Sequence, residues 1–395
     1  MDYRSKRSDR LRVLIVSNGH PCPGVPHFYT FIAEQAKAIS RNADVKIIVP
    51  VEKHIPIARH IEHLDFSRKF PPLLRGDDYV TYFPRVYRYF PKFNKYLADY
   101  LALWATLYTI WRRGIRFDIV HGHFAHPAGF IAASLSRLFR KPYVLTVHGS
   151  DVFEVFVEAE TVKTRRAHRD FGLRKAHRVI CVSNSLRERV VSLGVPFDRT
   201  VVIPNGVDTA KFSPLPEGSG DNSILFVGNL IERKGIDLLI EAFKRVSPRH
   251  PGLRLKLLGD GPVRERLKEQ TLRSGIADRV EFLPQRPNSE IPQIMAKARL
   301  FCLPSREEGF GVVLIEALAS GVPVIGARTG GIPEIVTSEE FGVLFEPGNV
   351  IEMEAKLHYA LERYWDKAAI REAGLKYSWG RVAERIVDQY HLVLN

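Results

Sequence analysis

The 395-residue chain has only three cysteines, no long apolar run and no low-complexity tract, and each shortage removes a class of protein. Cys22, Cys181 and Cys302 lie far apart and form no CxxC pair. Neither a disulfide framework nor a zinc site is indicated, and a reduced, cytoplasmic setting is expected. The longest apolar stretch, Tyr100 to Trp111, falls short of the roughly 20 residues that span a bilayer, so no transmembrane helix is expected. The first ten residues, MDYRSKRSDR, are polar and run straight into LRVLIVS, which leaves no room for the apolar core of a signal peptide.

What is present is a globular composition, 45% hydrophobic and 26% charged, which excludes disorder, collagen and coiled coil. The length fits two domains. The charge is uneven. Residues 1–212 carry 34 Lys and Arg against 19 Asp and Glu, a net of +15, whereas 213–395 carry 24 against 25. One half therefore faces an anionic partner, which could be nucleic acid, an acidic membrane surface or a phosphorylated substrate, or else its charge serves solubility.

Short β-branched runs alternate with amphipathic segments along the whole chain. Strands are expected at 11–17, 45–49, 118–121, 143–147, 179–182 and 201–203, then at 224–227, 253–258, 280–283, 300–303, 322–325 and 343–345. Helices are expected between them, for example over 28–40, 236–246, 262–274 and 311–319. This βα rhythm, met twice, predicts an α/β fold of two doubly wound parallel sheets, with ligands at the carboxyl ends of the strands and in a cleft between the domains. A linker rich in Pro, Gly and Ser is read at 212–223. The expected division is 1–212, 213–376 and a final amphipathic helix, 377–395, returning to the first domain.

The stretch LPSREEGFGVVLIEALASGVPVIGARTGGIPEIV, 303–336, combines a strand end, a glycine-bearing loop and a helix start. Free backbone N–H groups at such a start attract phosphate or hydroxyl oxygens. Glu308 and Glu316 have seven residues between them. If most of that span is helical they stand up to ~12 Å apart, beyond the about 5 to 9.5 Å of a glycosidase pair. They could hold two hydroxyl-bearing ends of an extended ligand, or Glu316 could be a surface residue.

The element EGFGVVLIE resembles the E-x7-E signature of retaining family-4 glycosyltransferases of the GT-B fold. The similarity continues through ALASGVPVIGARTGGIPEIV, PNGVDTAKF, VGNLIERKG, LLGDGP, VLTVHGSD and VSNSL, in the family's order and spacing, over nearly the whole chain. The resemblance implies a nucleotide-sugar donor, UDP- or GDP-linked, in the second domain. Glu316 would bind the ribose hydroxyls and Glu308 a hydroxyl of the donor sugar. The backbone of Gly309, Phe310, Gly311 and Val312 would meet the sugar and diphosphate, and Lys234 would neutralise charge growing on the leaving group. The family often has Arg after the motif's glycine; Asn229 stands there instead, and Arg233 is the available substitute or a surface residue. The base would sit near Phe282, Leu283, Pro284, Gln285 and Arg286. His148 resembles the family histidine that reaches the transferred sugar, and Gly24 would let the backbone approach the diphosphate.

His27 and Cys22 are candidates for acceptor contact. His121, His123 and His126 are read as acceptor-site lining or packing, not as a metal centre. No D-x-D pair occurs, so the cation-holding device of the other main glycosyltransferase fold is missing, and the resemblance implies that no metal or other cofactor is needed. The implied reaction retains the donor's anomeric configuration by front-face attack, and no enzymic nucleophile is apparent.

Two segments interleave or concentrate cations. Residues 84–116 are rich in aromatic and basic side chains. Here a core helix over 95–113, its aromatics packed under the sheet, competes with an interfacial membrane contact, and the preceding loop is read as the membrane-facing part. In 163–178 seven of sixteen residues are Arg or Lys. The expected function is transfer of a hexose-type sugar to an anionic, lipid-linked or polysaccharide acceptor in envelope glycan or glycolipid assembly, at the inner face of the cytoplasmic membrane. A sugar phosphorylase of the same fold and a basic nucleic-acid-binding protein are the alternatives, the latter without a recognised motif.

Overall fold

A computed structural model describes residues 10–54, 66–88, 97–153, 162–216 and 218–395. The chain divides into two compact units, Met1–Ile203 with Val382–Asn395, and Pro204–Arg381. In chain order the first contains β1 (Arg12–Ser17), α1 (Thr30–Ile39), β2 (Asp44–Ile48), β3 (Val51–His54), β4 (Leu73–Arg75), β5 (Val80–Tyr82), β6 (Arg85–Arg88), α2 (Ala98–Arg113), β7 (Ile119–His123), α3 (Ala128–Phe139), β8 (Tyr143–Val147), α4 (Val162–Lys175), β9 (Arg178–Cys181), α5 (Asn184–Ser192) and β10 (Thr200–Val202). The second contains β11 (Ser223–Val227), α6 (Ile236–Val246), β12 (Arg254–Leu258), α7 (Arg264–Arg273), β13 (Val280–Leu283), α8 (Ile291–Lys297), β14 (Leu300–Leu303), α9 (Val312–Ala319), β15 (Val324–Ala327), α10 (Ile332–Ile335), β16 (Gly342–Phe345), α11 (Val350–Glu362) and α12 (Lys367–Leu375). The last helix, α13 (Trp379–Leu394), starts in the second unit and belongs to the first from Val382 onward.

The first unit's eight-stranded sheet has the order β10-β9-β8-β7-β1-β2-β5-β4, parallel except for the β4–β5 pair. The second unit's sheet, β13-β12-β11-β14-β15-β16, is parallel throughout. Central strands are buried on both faces, as in β1, β8 and β14, which is why they read as unbroken apolar runs. In each sheet the order reverses beside the first strand of the unit, between β1 and β7 and between β11 and β14. Ligand crevices form at the carboxyl ends of such strands.

Three expectations change. The unit boundary falls at Ile203/Pro204 and not at 212/213, because the segment after it is tied to the second unit. Val207 pairs with Ser378 in an isolated bridge, and Arg371 donates to the carbonyls of Thr209 (3.3 Å) and Phe212 (3.2 Å). The Pro- and Ser-rich stretch that reads as a linker therefore lies within that unit. Strands β3 to β6 are additional; they are three or four residues long and separated by prolines and turns, so they carry little periodic signal. Helix α2 is present, but its aromatics do not pack under the sheet. It buries Ala102, Thr106 and Ile110 while Trp104, Tyr108 and Trp111 are 69%, 61% and 76% exposed. Ala102, Thr106 and Ile110 form its packing face, and the large rings lie on the opposite side. The preceding loop, 89–96, lies outside the described residues.

Candidate active site

Strands β11 and β14 are neighbours, and the loops leaving their carboxyl ends bring together residues 74 positions apart. After β11, a single 3-10 turn, Glu232–Lys234, is closed by Gly235. After β14, the loop 304–311 leads into α9. Lys234 Nζ lies 2.6 Å from Glu308 Oε2, and Ser305 Oγ donates to the same oxygen at 3.1 Å. The two charged side chains are 17% and 13% exposed, so they form an ion pair largely withdrawn from water.

The neighbours of this pair hold both loops in place. Arg306 donates its backbone N–H to the Arg233 carbonyl at 2.8 Å, and its guanidinium spans both oxygens of Asp237 at 2.9 and 2.7 Å. A third bond reaches the Glu232 carbonyl at 2.7 Å. From the other side Gly330, at φ 54°, presses on the Glu308 backbone. A Cβ there would stand 1.6 Å from the Glu308 carbonyl oxygen, so only glycine fits.

Gly311 takes the left-handed conformation, φ 98°, immediately before α9, and Phe310 is buried beneath it. Only 312–316 of the span between the two glutamates is helical, so Glu308 sits in a loop, and the spacing argued from a helix does not apply. The first amides of α9, at Val312 and Val313, begin a helix whose initial N–H groups have no intrahelical acceptor. Glu316 lies one turn along α9, partly buried and without a side-chain partner among the described residues. Burial pushes its carboxyl up to about 8. Asn229 is exposed, its carbonyl accepting from the Ile231 N–H at 3.0 Å, and neither its side chain nor that of Arg233 has a hydrogen-bond partner among the described residues. At the sheet edge Arg264 donates to the carbonyls of Gly259 (2.8 Å) and Phe282 (3.2 Å), joining the LLGDGP loop to the end of β13. Phe282 and Leu283 are partly buried there, and Pro284, Gln285 and Arg286 are exposed.

In the first unit His148 follows β8. Asp151 fixes this turn by accepting from the backbone N–H groups of His148 (3.1 Å), Gly149 (2.9 Å) and Ala125 (2.8 Å). The His148 Nε2 and His123 Nδ1 atoms share a hydrogen bond at 3.1 Å, with the rings stacked at 14°. Burial lowers both pKa values, His123 to about 3, so both rings are neutral and one donates to the other. Their remaining nitrogens, His123 Nε2 and His148 Nδ1, are buried without a partner.

Of the three histidines, His121 and His123 stay together, with ring centres 4.3 Å apart, and His126 takes other partners. His121 is not acceptor lining: it is fully buried, with Nδ1 2.6 Å from Tyr390 Oη and Nε2 2.8 Å from Thr146 Oγ1. His123 is equally buried, packs against the His121 ring and hydrogen-bonds His148. His126 donates to Asp99 Oδ2 at 2.7 Å, an oxygen that also accepts from His168 Nδ1 at 2.6 Å. These two donors hold the Asp99 carboxyl well below its usual range. Asp99 lines a cavity of about 360 Å³ beyond the ends of β1 and β2, walled by Phe28, Val49, Val86, Ala102 and Ile131. His27 stands partly buried in the turns before α1. Gly24 occupies an exposed turn, and the close approach its missing Cβ permits is to the Lys69 carbonyl, 2.1 Å from where a Cβ would be. Cys22 is buried and its Sγ lies 3.3 Å from the same carbonyl, which withdraws it from acceptor contact.

The profile of the family described as "Glycosyl transferases group 1" matches residues 207–377, and that of "Glycosyltransferase Family 4" matches 27–211. The chain belongs to the family-4-type glycosyltransferases. An uncharacterized glycosyltransferase of Methanocaldococcus jannaschii is 30% identical to this glycosyltransferase over 266 residues, 66% of this chain and 70% of the relative. TuaC of Bacillus subtilis, named for teichuronic acid biosynthesis, is 27% identical over 97% of this chain and 99% of its own length. The fold is GT-B: a sucrose-phosphate synthase from Thermosynechococcus elongatus superposes with a TM-score of 0.74 at 21% identity, covering 97% and 99% of the two chains. Anabaena Alr3699/HepE in complex with UDP-glucose gives 0.71 at 21%, covering 96% and 99%.

Several supporting residues of this glycosyltransferase escape a reading of the sequence. Ser305, Arg306 and Gly330 flank recognisable motif positions, but only the loop geometry shows what they hold. Asp237 is an ordinary helix-start acid until Arg306 is placed against it. For His123 a signal exists: in a strand, residues 121 and 123 share one face, so a buried β7 puts both beside the residues at the end of β8.

Proposed function

We propose that this glycosyltransferase moves a hexose-type sugar from a UDP- or GDP-linked donor to an anionic, lipid-linked or polysaccharide acceptor in envelope glycan or glycolipid assembly. The observation that carries the reading is the Lys234–Glu308 pair at the adjoining ends of β11 and β14, beside the start of α9. Lys234 supplies a fixed positive charge where the departing diphosphate gains negative charge, an arrangement worth more in a site withdrawn from water. Glu308 accepts from a donor-sugar hydroxyl, and Glu316 accepts from the ribose hydroxyls. His148, in its neutral state, is assigned to the transferred sugar. The likeness to relatives named for teichuronic acid and for phosphatidylinositol N-acetylglucosamine transfer supports a glycan or glycolipid acceptor.

The reading carries retention of the donor's anomeric configuration, by attack of the acceptor on the face from which the diphosphate departs. Lys234 and the α9 amides stand where a divalent ion would otherwise neutralise the diphosphate, so turnover is expected to persist in EDTA. The first unit, which carries the excess positive charge, is assigned to the acceptor and to peripheral contact with anionic lipid.

A panel of nucleotide sugars offered with lipid extracts, followed by detection of released nucleoside diphosphate and by NMR of the anomeric centre, tests the proposal. Release of UDP or GDP with a retained anomeric centre is expected. An inverted product would overturn retention, phosphate-dependent disaccharide cleavage would identify a phosphorylase, and no turnover or nucleotide binding with any donor would reject the reading.

A further inference from the structure

Helix α2 has two unlike faces. Ala102, Thr106 and Ile110 form the buried one, and Ala98, Asp99 and Ala102 contribute to the wall of the 360 Å³ cavity. On the other side Leu97, Tyr100, Trp104, Tyr108 and Trp111 recur at steps of three, four, four and three, which places them on one stripe. All five are exposed, and the Tyr108 and Trp111 rings lie 6.0 Å apart. Scattered exposed apolar residues need no explanation, but a continuous stripe over four turns marks an interaction surface.

Cations stand at both ends of the stripe. Arg112 and Arg113 close the helix, Arg116 follows, and all three are exposed. At the other end Asp99 and Tyr100 meet His168 of α4, with a ring separation of 5.3 Å for the Tyr100–His168 pair. Exposed Lys163 and Arg165 lie within the same two turns of α4. The acids of both helices are engaged: Asp99 is held between His126 and His168, and Asp170 pairs with Arg169 at 2.9 Å. Beside α2, on β6, Tyr87 is exposed with Lys53 Nζ 5.6 Å from its ring centre. Tryptophan and tyrosine partition to the headgroup level of a bilayer, and arginine and lysine are drawn to anionic headgroups. This combination of residue types fits a lipid surface better than an acidic protein, which would match the cations and leave the ring stripe unmatched.

We infer that the outer face of α2, with the exposed cations of α4 beside it, docks on an anionic lipid bilayer at headgroup level. The helix then separates the membrane from the cavity its inner face helps to line, so a lipid-linked acceptor need move only its head group past α2. This deepens the acceptor-side reading of the first unit and rests on that reading only for what the cavity receives.

The test uses the full chain, vesicles of phosphatidylcholine with or without phosphatidylglycerol, and two variants, Trp104→Ser/Tyr108→Ser/Trp111→Ser and Arg112→Gln/Arg113→Gln. Wild type should float with the anionic vesicles, with a blue shift in tryptophan emission and a loss of binding as salt rises. Each variant should bind at least about tenfold more weakly while melting normally and keeping UDP binding. Failure of wild type to float, equal flotation of wild type and the ring variant, or a dimer in sedimentation that the ring variant dissociates would overturn the inference. The two readings fail separately: a chain that floats but binds no nucleotide refutes the transferase alone, and one that turns over soluble acceptor without floating refutes the docking alone.

Discussion

His123 Nδ1 and His148 Nε2 share a hydrogen bond across 3.1 Å, and among the described residues it is the only one the His123 side chain makes. His123 is therefore a positioning residue: it is fully buried, and its one polar contact fixes the ring that the proposed function places against the donor sugar. His123→Leu removes that contact and leaves the His148 ring held only by packing against Phe31 and Phe124, with no hydrogen bond to fix its rotation. We expect kcat to fall by about 10- to 100-fold, as misplacement of a reacting or contacting group does, with nucleotide affinity unchanged. A purely structural role would show as a lower melting temperature at unchanged kcat.

Stability should fall on acidification. His121, His123 and His148 are held neutral in the folded protein, with pKa values lowered by burial, His123 to about 3. In the unfolded chain they titrate near 6.5. Above that pH they cost nothing; below it the unfolded state binds protons that the folded state refuses. Each such ring then removes about 1.4 kcal/mol per pH unit until its folded pKa is reached. Melting curves between about pH 6.5 and 5 should show the slope of these rings against the single opposite slope of Glu316, whose raised carboxyl takes up a proton on folding, and His123→Leu should lessen it. A melting temperature independent of pH over that range would contradict the assignment.

Much of this was legible in the sequence because parallel strands buried on both faces leave apolar runs, and because Lys234 and Glu308 stand in recognisable motifs. What was hidden depends on partners distant in sequence. Nothing in Trp104, Tyr108 and Trp111 tells which side of α2 faces the protein; the small residues Ala98, Ala102 and Thr106 decide it. His121 and His123 look equivalent until Tyr390 and Thr146 satisfy both nitrogens of the first, while His148 meets only one nitrogen of the second. The boundary at Ile203/Pro204 was obscured because the proline- and serine-rich stretch that reads as a linker follows a segment, 207–212, that Ser378 and Arg371 tie to the second unit.

The Lys234–Glu308 pair makes unequal demands on its two members. Lys234→Ala leaves a mostly buried carboxylate with Ser305 as its remaining donor, and should cost about 2 kcal/mol of stability together with about 100-fold or more in turnover. Glu308→Gln keeps an acceptor for Ser305, and should lose turnover with little loss of stability. Gly330→Ala is the indirect probe of the same pair, because its Cβ would strike the Glu308 carbonyl. Gly348→Ala is its control: Gly348 also has a positive φ, 82°, but nothing lies within 4 Å of its added Cβ. Both replacements carry backbone strain, and only Gly330→Ala should lower turnover. Equal activity of the two glycine variants would show that the Glu308 loop tolerates displacement.

Glu316 offers a test that needs no acceptor and no turnover. With its carboxyl pushed up to about 8, it is largely protonated in the free protein at pH 7. A protonated carboxyl can donate one hydrogen bond, whereas the ribose 2′- and 3′-hydroxyls are best met by an ionised carboxylate accepting from both. Nucleotide binding then favours the ionised form and releases a proton near pH 7. Affinity for UDP or GDP should rise with pH until it levels near 8, and calorimetry in buffers of different ionisation enthalpy should report the released proton. Glu316→Gln should abolish both the release and this pH dependence. Binding enthalpy that is the same in every buffer would place the ribose elsewhere.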